Sequence, residues 1–263
     1  ANAYGHGAIA VAQTLRGQLR DDDCFGVASI DEALELRQAG ISTSILLLEG
    51  VFNAAHLRQA VENKFALVVH SPFQLALLEA FFEARSLNSP LTIWLKIDTG
   101  MHRLGLSASE FKQAWQALNW HVHVHKLVVM SHFACADDKA SDMTERQLAQ
   151  LNKILEDAGV AADKREISFA ASSAIQQWPE SHFQWLRPGI MLYGGTAIAG
   201  ENAIERDIAP VMTLRARLIA IKTVAAGESI GYSASYVCEN EQRIGVISIG
   251  YGDGYPRRMP AGT

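Results

Sequence analysis

Four ionisable side chains lie within eight consecutive positions near the middle of the sequence: Lys96, Asp98, His102 and Arg103. Lys96 lies near the end of residues 91–97, and the other three follow this segment. Within it, apolar and polar residues alternate with the period-2 pattern that predicts a strand. Such groups need partners, because an unpaired buried charge is costly. Two interpretations follow: a salt-bridged strand end exposed to water, or a cationic pocket for an anionic or electron-rich ligand.

Polar residues also occur where the other predicted strands end. They are Tyr4, His70, His132, Ser172 and Arg187, the last together with Gly189. In a barrel of parallel strands the active site lies at the carboxyl ends of the strands, so we expect these side chains at one mouth. Ser172 and the amides of Gly189 and Ile190 follow late strands, where barrels frequently build phosphate sites. Together with an arginine and a histidine, they predict a site for a phosphate-bearing aromatic cofactor.

Strands that alternate with helices must position these residues. We predict seven strands, near Val27, Leu47, Leu67, Leu95, Val129, Ser168 and Ile190. The alternation predicts right-handed βαβ units and a parallel sheet. We interpret residues 1–207 as an α/β fold, a (β/α)8 TIM-type barrel lacking its first strand; a doubly wound open sheet is the competing topology. Residues 208–263 lose the helical pattern and predict the start of an incomplete C-terminal β domain.

Composition excludes several classes of protein. The net charge of −5 comes without a basic block, so we expect no nucleic-acid partner. The longest apolar runs are too short to cross a bilayer, so we expect no membrane insertion. Three cysteines without paired spacing favour a reducing, cytoplasmic location. His121, His123 and His125 share one face of an extended segment, but they precede their strand, so we assign them to solvated surface and expect no metal.

Five motifs occur along the sequence: A-N-A-Y-G-H-G, W-L-K-I-D-T-G-M-H-R-L-G, S-H-F, L-R-P-G-I-M-L-Y-G and I-G-Y-G-D-G-Y-P-R. Alanine racemases carry similar motifs in the same order. The sequence therefore resembles the alanine racemase family, most closely its proteobacterial members, from residue 1 to residue 263. The resemblance implies an isomerase that interconverts L-alanine and D-alanine with pyridoxal 5'-phosphate and supplies D-alanine for peptidoglycan. It also implies a barrel followed by a β domain, and a homodimer whose active site is shared between subunits.

The resemblance also implies a role for each matching residue. Tyr4, Ser172, Gly189 and Ile190 would hold the cofactor phosphate, Arg187 would face the pyridine nitrogen, and His132 would lie against the ring. Arg103 would contact the phenolic oxygen of the cofactor and the substrate carboxylate. Lys96 matches a lysine that is carbamylated in many members, and Asp98 and Arg103 are its expected neighbours. Tyr251 matches the catalytic tyrosine, which acts across the dimer as one of two acid/base groups.

One residue of the family pattern falls outside the sequence. The lysine that forms the Schiff base stands immediately before A-N-A-Y-G-H-G, which here opens at residue 1. We therefore expect the sequence to be part of a longer racemase, and the 263-residue chain alone to be inactive. The alternatives are a broad-specificity amino-acid racemase, another pyridoxal-phosphate barrel enzyme such as a decarboxylase, and a non-catalytic barrel that binds the cofactor.

Overall fold

The computed structural model describes residues 2–84, 87, 89–200 and 207–258. The chain forms two compact units, Ala1–Val211 and Met212–Thr263. Among the described residues, no helix is both long and apolar enough to span a bilayer.

In the first unit, strands and helices alternate, as the hydrophobic patterns predict. The strands are β1 (Cys24–Val27), β2 (Ser44–Leu47), β3 (Ala66–Val69), β4 (Leu91–Lys96), β5 (Val124–Met130), β6 (Ile167–Ala171) and β7 (Trp185–Arg187). The helices are α1 (Ala8–Leu15), α2 (Ile30–Gln38), α3 (Ala54–Glu62), α4 (Pro72–Ala84), α5 (Ala108–Leu118), α6 (Met143–Asp157) and α7 (Ser172–Gln177). Side-chain caps begin several helices; Ser107 and Glu110, for example, form a capping box at the start of α5.

All seven strands pair in chain order, each parallel to its neighbours, from β1 to β7. The parallel order with intervening helices, and the antiparallel strands that follow, confirm the predicted fold class. The sheet curls, since the ring of Trp94 on β4 lies 5.0 Å from that of Trp185 on β7, although two strands separate them. We call the concave side of this curl the inner face.

Two hydrophobic clusters occupy the two sides of the sheet. The larger lies between sheet and helices and includes Ile93 and Leu95 of β4. The smaller lies on the inner face and includes Trp94 of β4 and Val128 of β5, with Trp185 packed against it. Successive side chains of a strand point to opposite faces. Lys96 lies two residues after Trp94, so its side chain is also on the inner face, at the carboxyl end of β4.

The last predicted strand of this unit is displaced. We expected it near Ile190, but β7 ends at Arg187 and the segment Ile190–Tyr193 is a single 3-10 turn. Pro188 has no N–H to donate to a neighbouring strand, so the ladder ends before it. The amide of Leu192 then donates to the carbonyl of Gly189 at 3.0 Å, which closes the turn.

The second unit consists of short antiparallel pairings. Strand β8 (Leu218–Val224) pairs with β11 (Gln242–Ile247), and β9 (Ser229–Ile230) pairs with β10 (Tyr236–Val237). The described part of this unit contains no α-helix.

Candidate active site

The carboxyl ends of the strands bring together five residues, Lys96, Arg103, His132, Ser172 and Arg187, which we call the mouth. Lys96 ends β4, His132 follows β5, Ser172 follows β6 and Arg187 ends β7. The charges of Lys96, Arg103 and Arg187 all act on His132, which places the cations close to one another. His70, at the end of β3, adds a weaker Coulombic contact with Lys96.

Arg187 is the most firmly held side chain of the mouth. Its Nη1 donates to the carbonyl (2.8 Å) and the hydroxyl (2.6 Å) of Ser168. Its Nη2 donates to the carbonyls of Ser131 (2.7 Å) and Phe169 (3.2 Å), and to Nδ1 of His132 (3.1 Å). Burial lowers the pKa of the guanidinium to about 10, which leaves it charged at neutral pH. The arginine therefore joins the ends of β5, β6 and β7.

His132 is neutral at physiological pH. Burial lowers its pKa to about 4, and the positive charges of Arg187, Arg103 and Lys96 act in the same direction. Because Nδ1 accepts a hydrogen bond from Arg187, the ring proton lies on Nε2. The carbonyl of His132 accepts a hydrogen bond from Gln147 of α6, which fixes the backbone beneath the ring.

Lys96 is a buried cation that has no direct partner in the described part of the chain. Only 7% of the residue is exposed, and among the described residues nothing forms a hydrogen bond or ion pair with its amino group. Burial, followed by repulsion from Arg103 and Arg187, lowers its pKa to about 8. Asp98 opposes this shift from nearby, but its own oxygens accept from the amides of Gly100 and His102 and from the His102 ring, at 2.9–3.0 Å.

A small cradle of polar groups surrounds Gly189. The hydroxyl of Ser172 accepts hydrogen bonds from the amides of Gly189 (3.0 Å) and Met191 (3.3 Å). A Cβ built on Gly189 would lie 2.9 Å from the hydroxyl of Tyr4 and 3.7 Å from that of Ser172. Ile190 begins the 3-10 turn at this point. Hydroxyls and amides that converge in this way, beside an uncompensated cationic mouth, fit a phosphate group and the anionic oxygen of a pyridoxal ring.

Both units match one family over most of their length. Residues 1–197 match the family described as alanine racemase, N-terminal domain, and residues 211–263 match alanine racemase, C-terminal domain. The chain belongs to the alanine racemase family.

Named alanine racemases align with nearly the whole of this chain. An alanine racemase of Shewanella amazonensis is 44% identical over 266 residues, which are 100% of this chain and 71% of the relative. The crystal structure of the biosynthetic alanine racemase from Pseudomonas aeruginosa is 43% identical with a TM-score of 0.89, covering 100% of this chain and 70% of that one. The alanine racemase of Acinetobacter baumannii is 36% identical with a TM-score of 0.86, covering 97% and 68%.

Tyr251, the remaining residue that matches an alanine racemase motif, belongs to the second unit. It begins the 3-10 turn Tyr251–Asp253, where the Gly250 amide donates to the Asp253 carboxylate at 3.0 Å. The residue is 73% exposed, and the guanidinium of Arg257 lies 5.9 Å from its ring centre. The phenol is therefore accessible from outside its own unit.

The amino-terminal end of the inner face carries a different group, Lys126, Glu166 and Trp185, which we call the floor. Lys126 pairs with Glu166 at 2.8 Å and lies 5.0 Å from the Trp185 ring, while the Trp185 indole N–H donates to Glu166 at 2.8 Å. A cavity of about 310 Å³ opens here, lined partly by Trp94 and Lys126. Lys126 already has Glu166 as its counter-ion at the floor, so we place the active site at the mouth instead.

Our sequence reasoning missed the residues that support the mouth from a distance. Gln147, 1% exposed, donates to the hydroxyl of Thr99 (3.0 Å) and the carbonyl of His132 (2.9 Å), and accepts from the amide of Ala134 (2.8 Å). Ser131 links Thr99 (2.9 Å) to the carbonyl of Ile97 (2.9 Å). The sequence could have indicated Gln147, because it is a polar residue on the same buried face of α6 as Leu151 and Ile154.

The three histidines at the start of β5 lie away from the mouth. His121 stacks on Phe82 at 4.6 Å, and His123 lies 5.3 Å from the same ring. Within the described ranges, no group of three or more His, Cys, Asp or Glu side chains is placed to hold a metal ion.

Proposed function

We propose that this protein is an alanine racemase that interconverts L-alanine and D-alanine with pyridoxal phosphate as its cofactor. The observation that carries the proposal is the pair of Arg187 and neutral His132, set in a cationic mouth beside the Gly189 cradle. An arginine cannot readily give up its proton. A pyridine nitrogen facing Arg187 would therefore stay largely unprotonated, which weakens the ring as an electron sink and suppresses side reactions such as transamination.

Each residue of the mouth then has a binding task. Ser172, Tyr4 and the amides of Gly189 and Ile190 would hold the phosphate, and His132 would support the ring from one side. When bound, the cofactor supplies the electron-withdrawing ring that allows the α-proton of an amino acid to leave. Arg103, exposed at the rim, would bind the phenolic oxygen of the cofactor and the substrate carboxylate.

Racemisation needs two acid/base groups on opposite sides of the α-carbon. We propose Tyr251 as one of them, acting from the partner subunit of a homodimer; its exposed phenol supports this role. In its own unit, the guanidinium of Arg257 lies 5.9 Å from the centre of the Tyr251 ring. The second group would be the lysine that the family carries before the first motif.

Lys96 is proposed to become carbamylated. A pKa of about 8 leaves part of the amine neutral near physiological pH. The ammonium group would first lose one proton. The neutral nitrogen would then attack carbon dioxide, forming a C–N bond as one C=O π bond breaks, and would release a second proton, so that a cation becomes an anion. The new carbamate would face Arg103 and hold it by charge-assisted hydrogen bonds. Mass spectrometry of the intact protein, with and without bicarbonate, would detect the added carbon dioxide.

The remaining parts of the proposal concern the whole enzyme. We propose that residues 1–207 form the cofactor-binding barrel and residues 208–263 the beginning of the second domain. The enzyme would work in the cytoplasm, as a homodimer with shared active sites, and supply D-alanine for peptidoglycan.

The test is a racemisation assay on the complete gene product. L-Alanine should be converted to D-alanine, with far slower turnover of serine, lysine and arginine, and replacing Arg103 by Leu should raise KM for alanine. Comparable turnover of lysine or arginine would favour the broad-specificity racemase instead. Tight binding of pyridoxal phosphate without any racemisation would favour the non-catalytic binder.

A further inference from the structure

The turn that carries Tyr4 has an unusual backbone. Asn2, Ala3 and Tyr4 are three consecutive non-glycine residues with positive φ angles, of 51°, 51° and 53°. L-residues disfavour this left-handed region, and such conformations persist only where surrounding contacts hold them. The position of Tyr4 therefore depends on the groups that bind this turn.

Some of these groups lie within the turn itself. The side-chain oxygen of Asn2 accepts from the amide of Ala8 at 2.8 Å, and its carbonyl accepts from Gly5 at 3.0 Å. The imidazole of His6 donates from Nδ1 to the carbonyls of Ala3 and Tyr4, both at 3.1 Å. These bonds shape the turn, but they do not fix it relative to the sheet.

Glu32 of α2 supplies a bond from outside the turn. Its Oε1 accepts from the Asn2 amide at 2.8 Å, and its Oε2 accepts from the Ala28 amide at 3.0 Å. Ala28 directly follows β1. The carboxylate of Glu32, 30 residues after Asn2, thus joins the turn to the end of the first strand.

Helix α5 shows what a glutamate at this position ordinarily does. Glu110, three residues after the N-cap Ser107, accepts from the Ser107 amide at 2.8 Å and completes a capping box. Glu32 stands at the same position after the N-cap Ser29, but it bonds Ala28 and Asn2 instead. The capping of α2 does not require the bond to Asn2, so this bond needs another explanation.

The bond to Asn2 lies close in sequence to Tyr4, whose hydroxyl is part of the Gly189 cradle. Tyr4 follows Asn2 by two residues, its ring lies 5.1 Å from that of Tyr193, and its hydroxyl reaches the space where a Gly189 side chain would begin. We propose that Glu32 is a positioning residue of the phosphate site: through the Asn2 amide it holds the left-handed turn that places the Tyr4 hydroxyl beside Gly189 and Ser172. This inference rests on the proposed function, because it assumes that the cofactor phosphate binds there.

The test compares the binding of pyridoxamine phosphate and pyridoxamine by the purified protein, using isothermal titration. Neither compound can form a Schiff base with a lysine, so the ratio of their affinities reports the phosphate contacts alone. The wild-type ratio should be large. In Glu32→Gln, an amide replaces one accepting oxygen, and we expect the ratio to fall about tenfold, the effect of one lost charge-assisted hydrogen bond.

Four further variants distinguish a positioning role of Glu32 from a general effect on stability. Ser29→Ala removes the cap of α2 and Glu110→Gln weakens that of α5; both should lower Tm and leave the ratio unchanged. Tyr4→Phe should lower the affinity ratio as much as Glu32→Gln does. The double variant Tyr4→Phe/Glu32→Gln should lower it little further, because both changes remove the contact of the Tyr4 hydroxyl with the phosphate.

Each outcome decides between the two proposals. If the wild-type protein binds both compounds equally, the phosphate site and the proposed function are wrong. If its ratio is large but Glu32→Gln lowers only Tm, or if the losses in the double variant add, the role of Glu32 is wrong. Should Glu32→Gln fail to fold, Glu32→Asp keeps the charge on a shorter side chain, and an unchanged ratio in that variant would equally overturn the inference.

Discussion

Two lysines at opposite ends of the inner face have opposite surroundings. Lys126, at the floor, pairs with Glu166 at 2.8 Å and lies against the Trp185 ring. Lys96, at the mouth, has no direct partner among the described residues, and its pKa falls to about 8. The two residues belong to the neighbouring strands β5 and β4, so the contrast arises within one sheet.

The difference separates stability from function. At the floor, the protein's own side chains satisfy the charge, as expected of the end of a barrel that serves stability. At the mouth, Lys96, Arg103 and Arg187 outnumber the nearby carboxylate of Asp98, which is already bonded to its own loop. A cluster of like charges lowers the stability of the fold unless an anion binds, and such perturbed groups concentrate at functional sites. We therefore expect substitutions at the two ends to differ in sign or in size.

The largest difference should come from Arg187. Replacing it by Leu removes a guanidinium that donates to the carbonyls of Ser131, Ser168 and Phe169, so each of these carbonyls loses a charged donor. We expect the free energy of unfolding to fall by about 3 kcal/mol at pH 7. The matched floor variant, Lys126→Leu, breaks a partly exposed ion pair and should cost no more than about 1 kcal/mol. Urea denaturation measures both, and equal losses would contradict the comparison.

His132 should make the mouth sensitive to acid. Its pKa of about 4 in the folded protein lies below the ordinary value of 6.5, so the unfolded chain binds more protons between these pH values. Stability should therefore rise with pH from about 4 to about 6.5, by at most about 3 kcal/mol. In His132→Gln this part of the pH dependence should disappear. His125→Gln, at the exposed start of the same strand, should keep the wild-type profile; if it flattens equally, the effect does not belong to the mouth.

Replacing each of the two lysines by methionine should change the stability of the protein in opposite directions. Lys96→Met removes an uncompensated buried charge and should stabilise the protein by about 2 kcal/mol at pH 7. Lys126→Met breaks the pair with Glu166 and should destabilise the protein by about 0.5 kcal/mol.

Because the pKa of Lys96 is depressed in the folded protein, wild-type stability should also rise with pH from about 8 to about 10.5, and this rise should be absent in Lys96→Met. Measurements in buffer free of carbon dioxide keep Lys96 unmodified. A loss of stability in Lys96→Met would refute the claim that its charge is uncompensated.

The fold could be predicted because its signals are local. Alternation over residues 91–97 predicted a strand, and β4 spans Leu91–Lys96. The prediction failed after β7, where Pro188 ends the ladder and an apolar segment, Ile190–Tyr193, turns instead of extending. Hydrophobicity indicates that such a segment packs against the core, but it does not distinguish a short strand from a single helical turn.

The candidate site could be predicted only in part. The rule that function lies at the carboxyl ends of strands predicted a shared site for Lys96, His132, Ser172 and Arg187, and the structure places all four at or just after strand ends. Their partners could not be derived in the same way, because hydrogen bonds join residues far apart in sequence. Asp98 was expected beside Lys96, and it lies near, yet it uses its oxygens within its own loop. Glu32 occupies the third position after the N-cap of α2, where a glutamate ordinarily caps the helix, yet it accepts a hydrogen bond from the distant Asn2 amide.

The smallest effect on stability should come from Gly189, where the mouth leaves room for a ligand rather than for a side chain. In Gly189→Ala the new Cβ would lie 2.9 Å from the hydroxyl of Tyr4, which is 58% exposed and can move aside. We expect the free energy of unfolding to change by less than about 1 kcal/mol. The methyl group would nevertheless fill the cradle, so the affinity for pyridoxamine phosphate should fall more than about tenfold while that for pyridoxamine changes little. Gly17→Ala, at an exposed position with no atom within 4 Å of its added Cβ, is the control and should preserve both affinities. If Gly189→Ala binds pyridoxamine phosphate as the wild-type protein does, the phosphate does not lie at Gly189, and the excess charge of the mouth would have to serve another anion.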